Sequence, residues 1–206
     1  MKRAIIILIF TALLCPAVAV AQSRHSDNRD NTERYDRERH HHHRPSYIVS
    51  NNSVYYDGRQ LDEAVASSFT ILRDGYAKDA FNVYYCGQKI QSAVSYSFKV
   101  LGYGYAKDAF NAYYDGVKID GAVASSFNSL SDWYAKDAFN VYFDGSQING
   151  AISSSFKVLK DGYAKDAFNV YFDGAKVNGA ISSSFKVLKD GYAKDTWNTY
   201  YLGRKI

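Results

Sequence analysis

The chain repeats itself every 29 residues, and no insertion breaks the count. Tyr-Ala-Lys-Asp recurs at Tyr76, Tyr105, Tyr134, Tyr163 and Tyr192. A sixth, degenerate start lies at Tyr47, because Val54-Tyr55-Tyr56-Asp57-Gly58 falls in register with Val83-Tyr84-Tyr85-Cys86-Gly87. Copies 134–162 and 163–191 differ at only three positions, Ser146/Ala175, Gln147/Lys176 and Ile148/Val177. A fixed period of this size implies a solenoid, a propeller or an array, in which each unit completes its core on its neighbours.

Turn chemistry within one copy points to strands. Val170-Tyr171-Phe172, then Asp173-Gly174, then Ala175-Lys176-Val177 reads as a hairpin with a two-residue loop, since Asp-Gly tolerates the positive φ of a type I′ turn. Phe156-Lys157-Val158-Leu159 meets Tyr163-Ala164-Lys165 across Lys160-Asp161-Gly162 in a second hairpin. Asp166-Ala167-Phe168-Asn169 reverses the chain again, with Asp accepting backbone N–H groups at its start and Asn taking αL at its end. The Ser-rich stretch 179–184 has room for one helical turn. Phe156 and Val158 are placed on one face with Val170 and Phe172, and Leu159 and Tyr171 on the other, so both faces need covering.

The fold expected is all-β, an elongated array of tandem repeats of short antiparallel strands and hairpins. The alternatives are a small propeller or a β-solenoid. A solenoid would stack equivalent residues about 4.8 Å apart and so align Lys78, Lys107, Lys136, Lys165 and Lys194 as a like-charge ladder, which is unfavourable. A propeller blade usually takes about 40 residues, more than one copy offers.

Two different segments precede the repeats. Lys2 and Arg3, the apolar run from Ala4 to Leu14, and Ala19-Val20-Ala21 read as a secretory signal peptide over residues 1–21. A lipoprotein signal at Cys15 is the rival, disfavoured by the bulky Leu14. Residues 22–46 are rich in Arg, Asp, Asn, Glu and His, a composition expected to form a disordered spacer. Cleavage after Ala21 leaves Cys86 as the single cysteine, so no internal disulfide is expected. The expected destination is the periplasm, the cell surface or the medium, with no transmembrane span in the mature chain, because charges recur every few residues after position 22. The repeat domain is expected over residues 47–206.

The repeated Tyr-Ala-Lys-Asp, the Asn-Val-Tyr-Tyr or Asn-Val-Tyr-Phe strand, the Asp-Gly turn, and Gly-Ala followed by Ser-Ser-Phe resemble the DKNYY family of bacterial repeats, from Tyr47 to Ile206. Ala80-Phe81 and their equivalents depart from it, replacing the Lys-Asn that follows Asp in a typical member. The first copy, with Ser50-Asn51-Asn52, departs further. The resemblance implies an architecture and no particular activity.

Nearly every polar residue of the repeats has several copies of itself, whereas an active site needs one distinct constellation. All five histidines precede the repeats, so no Ser-His-Asp or Cys-His arrangement is expected in a folded pocket, and the protein is not expected to be an enzyme. The spacer places His40, His41, His42 and His43 in a row, able to chelate Zn, Ni or Cu. This is the basis of an alternative reading, a metal-binding or metal-buffering envelope protein. Calcium at Asp161, Asp166 and Asp173 is a weaker option without EF-hand or nonapeptide spacing. Cofactors are otherwise not expected.

The formal net charge of +4 comes mainly from the first two segments, so nucleic acid is not an expected partner. Tyr84, Tyr113, Tyr142, Tyr171 and Tyr200 are equivalent residues in a periodic row, and they are the candidate ligand-binding residues. Aromatic faces at a regular spacing suit sugar rings or an extended polymer, such as envelope polysaccharide or peptidoglycan, with another envelope protein as the further option. The competing role for those rings is the core itself, where aromatics supply most of the buried area. The functional expectation is therefore an exported binding or structural module at the cell envelope.

Overall fold

The computed structural model describes residues 46–206. They form six small antiparallel sheets in tandem, with no pairing from one sheet to the next and no closed barrel. The first, Tyr47–Ser50, Ser53–Tyr56 and Arg59–Gln60, has three strands, and the other five have four each. A solenoid would run its sheets through all the repeats; here each sheet is a separate meander. No helix among the described residues is long and apolar enough to cross a membrane.

The fifth sheet shows how one copy folds. Its strands are Lys157–Val158, Tyr163–Lys165, Val170–Phe172 and Ala175–Lys176, paired in chain order. Asp161 and Gly162 take φ of 55° and 78°, and Asp173 and Gly174 take 46° and 77°. Both hairpins thus turn through two left-handed residues, the geometry that matches strand twist. The Ser-rich stretch forms a single 3₁₀ turn, Ser182–Ser184, as Ser153–Ser155 does one copy earlier. Because the sheet starts at Lys157, a frame that begins at Tyr163 cuts each four-stranded sheet after its first strand. The last copy, short in the sequence frame, still has a complete sheet from Lys186 to Lys205.

Register fixes the faces, and one expectation fails there. Val158 pairs with Ala164, and Ala164 with Tyr171. Val158 therefore shares its face with Tyr171, not with Val170 and Phe172. The second face carries Tyr163, Val170 and Phe172. The sheets stack: Tyr134, Val141 and Phe143 of the fourth pack against Val158, Ala164 and Tyr171 of the fifth, with Phe156 between them. The same pattern joins the fifth to the sixth through Tyr163, Val170, Phe172, Ala193 and Tyr200. An interior sheet thus buries both faces, which is why neighbouring residues such as Val170 and Tyr171 both belong to the core.

Each junction has the same polar fastening. The Tyr163 hydroxyl donates to the Gly191 carbonyl at 3.1 Å and accepts the Gly203 N–H at 2.9 Å. Tyr134, Tyr105 and Tyr76 do likewise one, two and three copies earlier. Beside that hydroxyl the Phe172 side chain lies against Gly203, where a Cβ would stand 2.7 Å from the Phe172 Cβ and 2.8 and 2.9 Å from ring carbons. Only glycine fits there, for space as well as for its φ of 77°. Lys78, Lys107, Lys136 and Lys165 also tie each sheet to the connection that follows it, Lys165 Nζ donating to the Ser182 carbonyl at 2.8 Å. This is how Lys157 and Lys165 sit directly opposite each other on one face: Lys165 reaches away to the 3₁₀ turn that follows the sheet, relieving a like-charge pair that would otherwise be unfavourable.

Candidate functional site

The turn after Tyr-Ala-Lys-Asp is the most heavily braced piece of each copy. Asp166 Oδ1 accepts the N–H groups of Phe168 and Asn169 at 2.8 and 2.7 Å. Its Oδ2 accepts the Ile152 N–H at 3.0 Å and the Tyr171 hydroxyl at 2.7 Å. The Ala167 N–H donates to Ser155 Oγ at 3.0 Å, and the Asp166 N–H to the Asn169 carbonyl. Asp79, Asp108, Asp137 and Asp195 repeat the pattern. The expected Asp role is thus observed, but the closing Asn does not adopt αL: no Asn of these five turns has positive φ. The carboxylate already supplies the acceptors that reverse the chain, so the backbone needs no left-handed residue.

Burial alone would push these carboxyls up, but the N–H and hydroxyl groups aimed at them prevail and hold Asp137 and Asp166 below the ordinary carboxylate range. The partner tyrosines move the other way. Burial first, then the neighbouring carboxylate, pushes Tyr113 and Tyr200 up to about 12.

Tyr84, Tyr113, Tyr142, Tyr171 and Tyr200 are therefore not a docking row. They are 0–2 % exposed, with their hydroxyls on Asp79, Asp108, Asp137, Asp166 and Asp195. A ring covered by the preceding sheet has no face left for a ligand. The outward aromatics are Phe81, Phe110, Phe139, Phe168 and Trp197, one at each braced turn and 67–79 % exposed. Turn tips lie at the sheet edge, so stacking leaves them uncovered. The signal was in the sequence: Phe81 is one of the two residues at which the repeats depart from the Asp-Lys-Asn pattern, inside a tight reversal where nothing structural asks for an aromatic. The first copy has no such turn; Asn51 and Asn52, at φ 48° and 59°, close its hairpin.

The row has a local companion. Tyr96, 78 % exposed, stands where the other copies have serine. It borders a shallow depression with Lys99, Lys107, Ala109 and Ser125, next to the Phe110 turn.

The metal candidates fare differently. His40, His41, His42 and His43 lie outside the described residues. Asp161, Asp166 and Asp173 do not converge: among the described residues no three His, Cys, Asp or Glu side chains are grouped to hold a metal ion. Asp166 spends both oxygens on protein donors, and Asp161 and Asp173 occupy left-handed turn positions. Cys86 takes the same turn position at φ 46°, half-buried.

A family model described as the DKNYY family matches residues 47–171, more than half of the chain. The chain belongs to the DKNYY family. No curated protein and no solved structure matches it. The DKNYY match covers the first four sequence copies and the opening of the fifth; the braced Asp turn and the buried tyrosine continue beyond it, to Asp195 and Tyr200.

Proposed function

We propose that this DKNYY-family chain is an exported, non-enzymatic binding module of the cell envelope, and that it grips an extended partner through the turn-tip aromatics. The observation that carries this reading is the row Phe81, Phe110, Phe139, Phe168 and Trp197: large apolar side chains held in water on a pinned backbone, once per copy. An exposed Phe contributes nothing to the stack, whereas five equivalent rings on rigid supports suit repeated weak contacts that add by avidity. Aromatic faces stack well on sugar rings, so an envelope polysaccharide such as peptidoglycan is the partner favoured.

The test is co-sedimentation with purified sacculi and envelope polysaccharides, with and without Ca²⁺ and chelator, for the full chain and for one lacking residues 22–45. Binding should saturate, survive loss of that segment, and weaken by about tenfold or more in Phe110→Ser/Phe139→Ser/Phe168→Ser. Absence of binding to any polymer overturns the glycan reading. Binding that needs residues 22–45 and a transition metal moves function to His40–His43.

A further inference from the structure

The two ends of the stack are halves of a junction that the interior makes repeatedly. On the sixth sheet Tyr192, Thr199 and Tyr201 form the face that Tyr163, Val170 and Phe172 form on the fifth. Tyr163 is fully buried by the following sheet, but Tyr192 and Tyr201 are 43 % and 41 % exposed, with no described sheet packed over them. On the first sheet no other described sheet lies on the opposite face. Ile48 is 55 % exposed in the register position where the later sheets bury Ala77, Ala106, Ala135, Ala164 and Ala193 completely. Tyr55, half-buried, takes the place of Tyr84. A Cβ on Gly58 would meet nothing within 4 Å, whereas at Gly87, Gly116, Gly145, Gly174 and Gly203 it would strike the ring of the preceding copy.

We infer that the sixth sheet of one copy of this chain docks on the first sheet of another, reproducing the internal junction between molecules. The period maps the tyrosine bridge, although the first sheet lacks the strand that carries Val158 in the fifth. The Tyr163 hydroxyl reaches a carbonyl 28 residues on and an N–H 40 residues on. Applied to Tyr192 across the boundary, the same offsets fall on the Ser46 carbonyl and the Gly58 N–H of the second copy. The Tyr201 ring then lies on Gly58 as Phe172 lies on Gly203. Ile48 in place of alanine adds apolar surface at the receiving side. The contact is heterologous, so each added copy offers the same two faces again and growth does not stop at a dimer unless a ring closes. This inference is independent of what the turn-tip aromatics bind.

Sedimentation velocity on the full chain, kept reduced so that cysteine plays no part, tests it between about 5 μM and about 1 mM. The weight-average sedimentation coefficient should climb with concentration for the wild type and stay flat for Tyr192→Ser/Tyr201→Ser. Circular dichroism and the thermal midpoint check that this variant folds. The variant keeps its first sheet, so adding it in excess to the wild type should shorten the assemblies to capped pairs. A wild type that stays monomeric to the top of the range overturns the proposal. So does association that the double substitution leaves unchanged, since it would then run through another surface, and the Phe110→Ser/Phe139→Ser/Phe168→Ser variant would show whether the turn-tip row is that surface.

Discussion

Removing one carboxylate from the middle of the stack should cost far more than its single charge suggests. Asp137 is almost wholly buried and accepts four hydrogen bonds, from the N–H groups of Val123, Phe139 and Asn140 and from the Tyr142 hydroxyl, at 2.7–3.0 Å. In Asp137→Ala the Phe139 and Asn140 N–H groups sit near an exposed tip and can turn to water. The Val123 N–H and the buried Tyr142 hydroxyl cannot do so easily. Each stranded donor costs about 1–3 kcal/mol, and together with the lost brace the change should destabilise by about 3–5 kcal/mol. That is a large share of the roughly 5–15 kcal/mol that holds a domain together. Asp137→Asn keeps one oxygen for the turn and turns an amide toward Val123, so it should cost about 1–3 kcal/mol. Tyr142→Phe removes one bond and leaves the carboxylate served by three N–H groups, for about 0.5–1.5 kcal/mol. Urea unfolding followed by tryptophan fluorescence and circular dichroism would rank the three. Trp133 lies one residue before the fourth sheet's Tyr134–Lys136 strand and Trp197 lies in the sixth repeat, so the two probes also show whether the stack unfolds as one unit. A cost below about 1 kcal/mol for Asp137→Ala, or equal costs for all three, would refute the idea that this carboxylate organises the junction.

Gly145→Ala puts a methyl 2.8 Å from the Tyr114 ring, and Gly150→Ala puts one in open space, although both glycines have φ near 75°. Thermal or urea unfolding should show about 2–4 kcal/mol lost for the first and about 1 for the second. The depressed carboxyls of Asp79, Asp108, Asp137, Asp166 and Asp195 stabilise the fold fully above the unfolded carboxylate value of about 3.9 and lose that contribution as pH falls through their lower folded values. Midpoints measured from pH 6 downward should therefore drop below about pH 4, and less so in Asp137→Asn. At the other end, Tyr113 and Tyr200 are raised to about 12. Their contribution is complete below the unfolded value of about 10 and fades as pH rises toward 12. The part of the tyrosinate absorbance that comes from the buried rings should appear together with loss of circular dichroism. The Phe110→Ser/Phe139→Ser/Phe168→Ser variant should keep its unfolding midpoint, within about 0.5 kcal/mol, even where its polymer binding falls.

Local chemistry was legible in the sequence because it is local. Asp173-Gly174 and Asp161-Gly162 announce left-handed turns, and the strands they join follow at once. What lay beyond reach depends on the neighbours. Alternation along Val170-Tyr171-Phe172 tells that successive side chains oppose each other, but not that another sheet waits on each side. Tyr171 therefore looked as available for binding as any ring. The placing of Val158 with Val170 failed because two short strands joined by a turn can pair in more than one register, and only the Val158–Ala164 pairing decides between them. Like-charge repulsion counted against a solenoid through equivalent lysines of successive copies, in agreement with the separate sheets; the pair within one sheet lay outside that reasoning. Lys157 opposite Lys165 is tolerable once Lys165 reaches the Ser182 carbonyl of the 3₁₀ turn that follows the sheet, a partner 17 residues along the chain.

The tyrosine bridge between sheets has a consequence for how such a chain changes over generations. Every junction is fastened at the same offsets, so a whole copy can be gained or lost and both cut faces still match. A recombination between equivalent points leaves no seam to repair. The near identity of copies 134–162 and 163–191 is what such an event leaves behind. In most folds a duplicated segment disrupts the core; here it inserts another complete layer, and the number of layers becomes a property that selection can adjust without touching the layer itself.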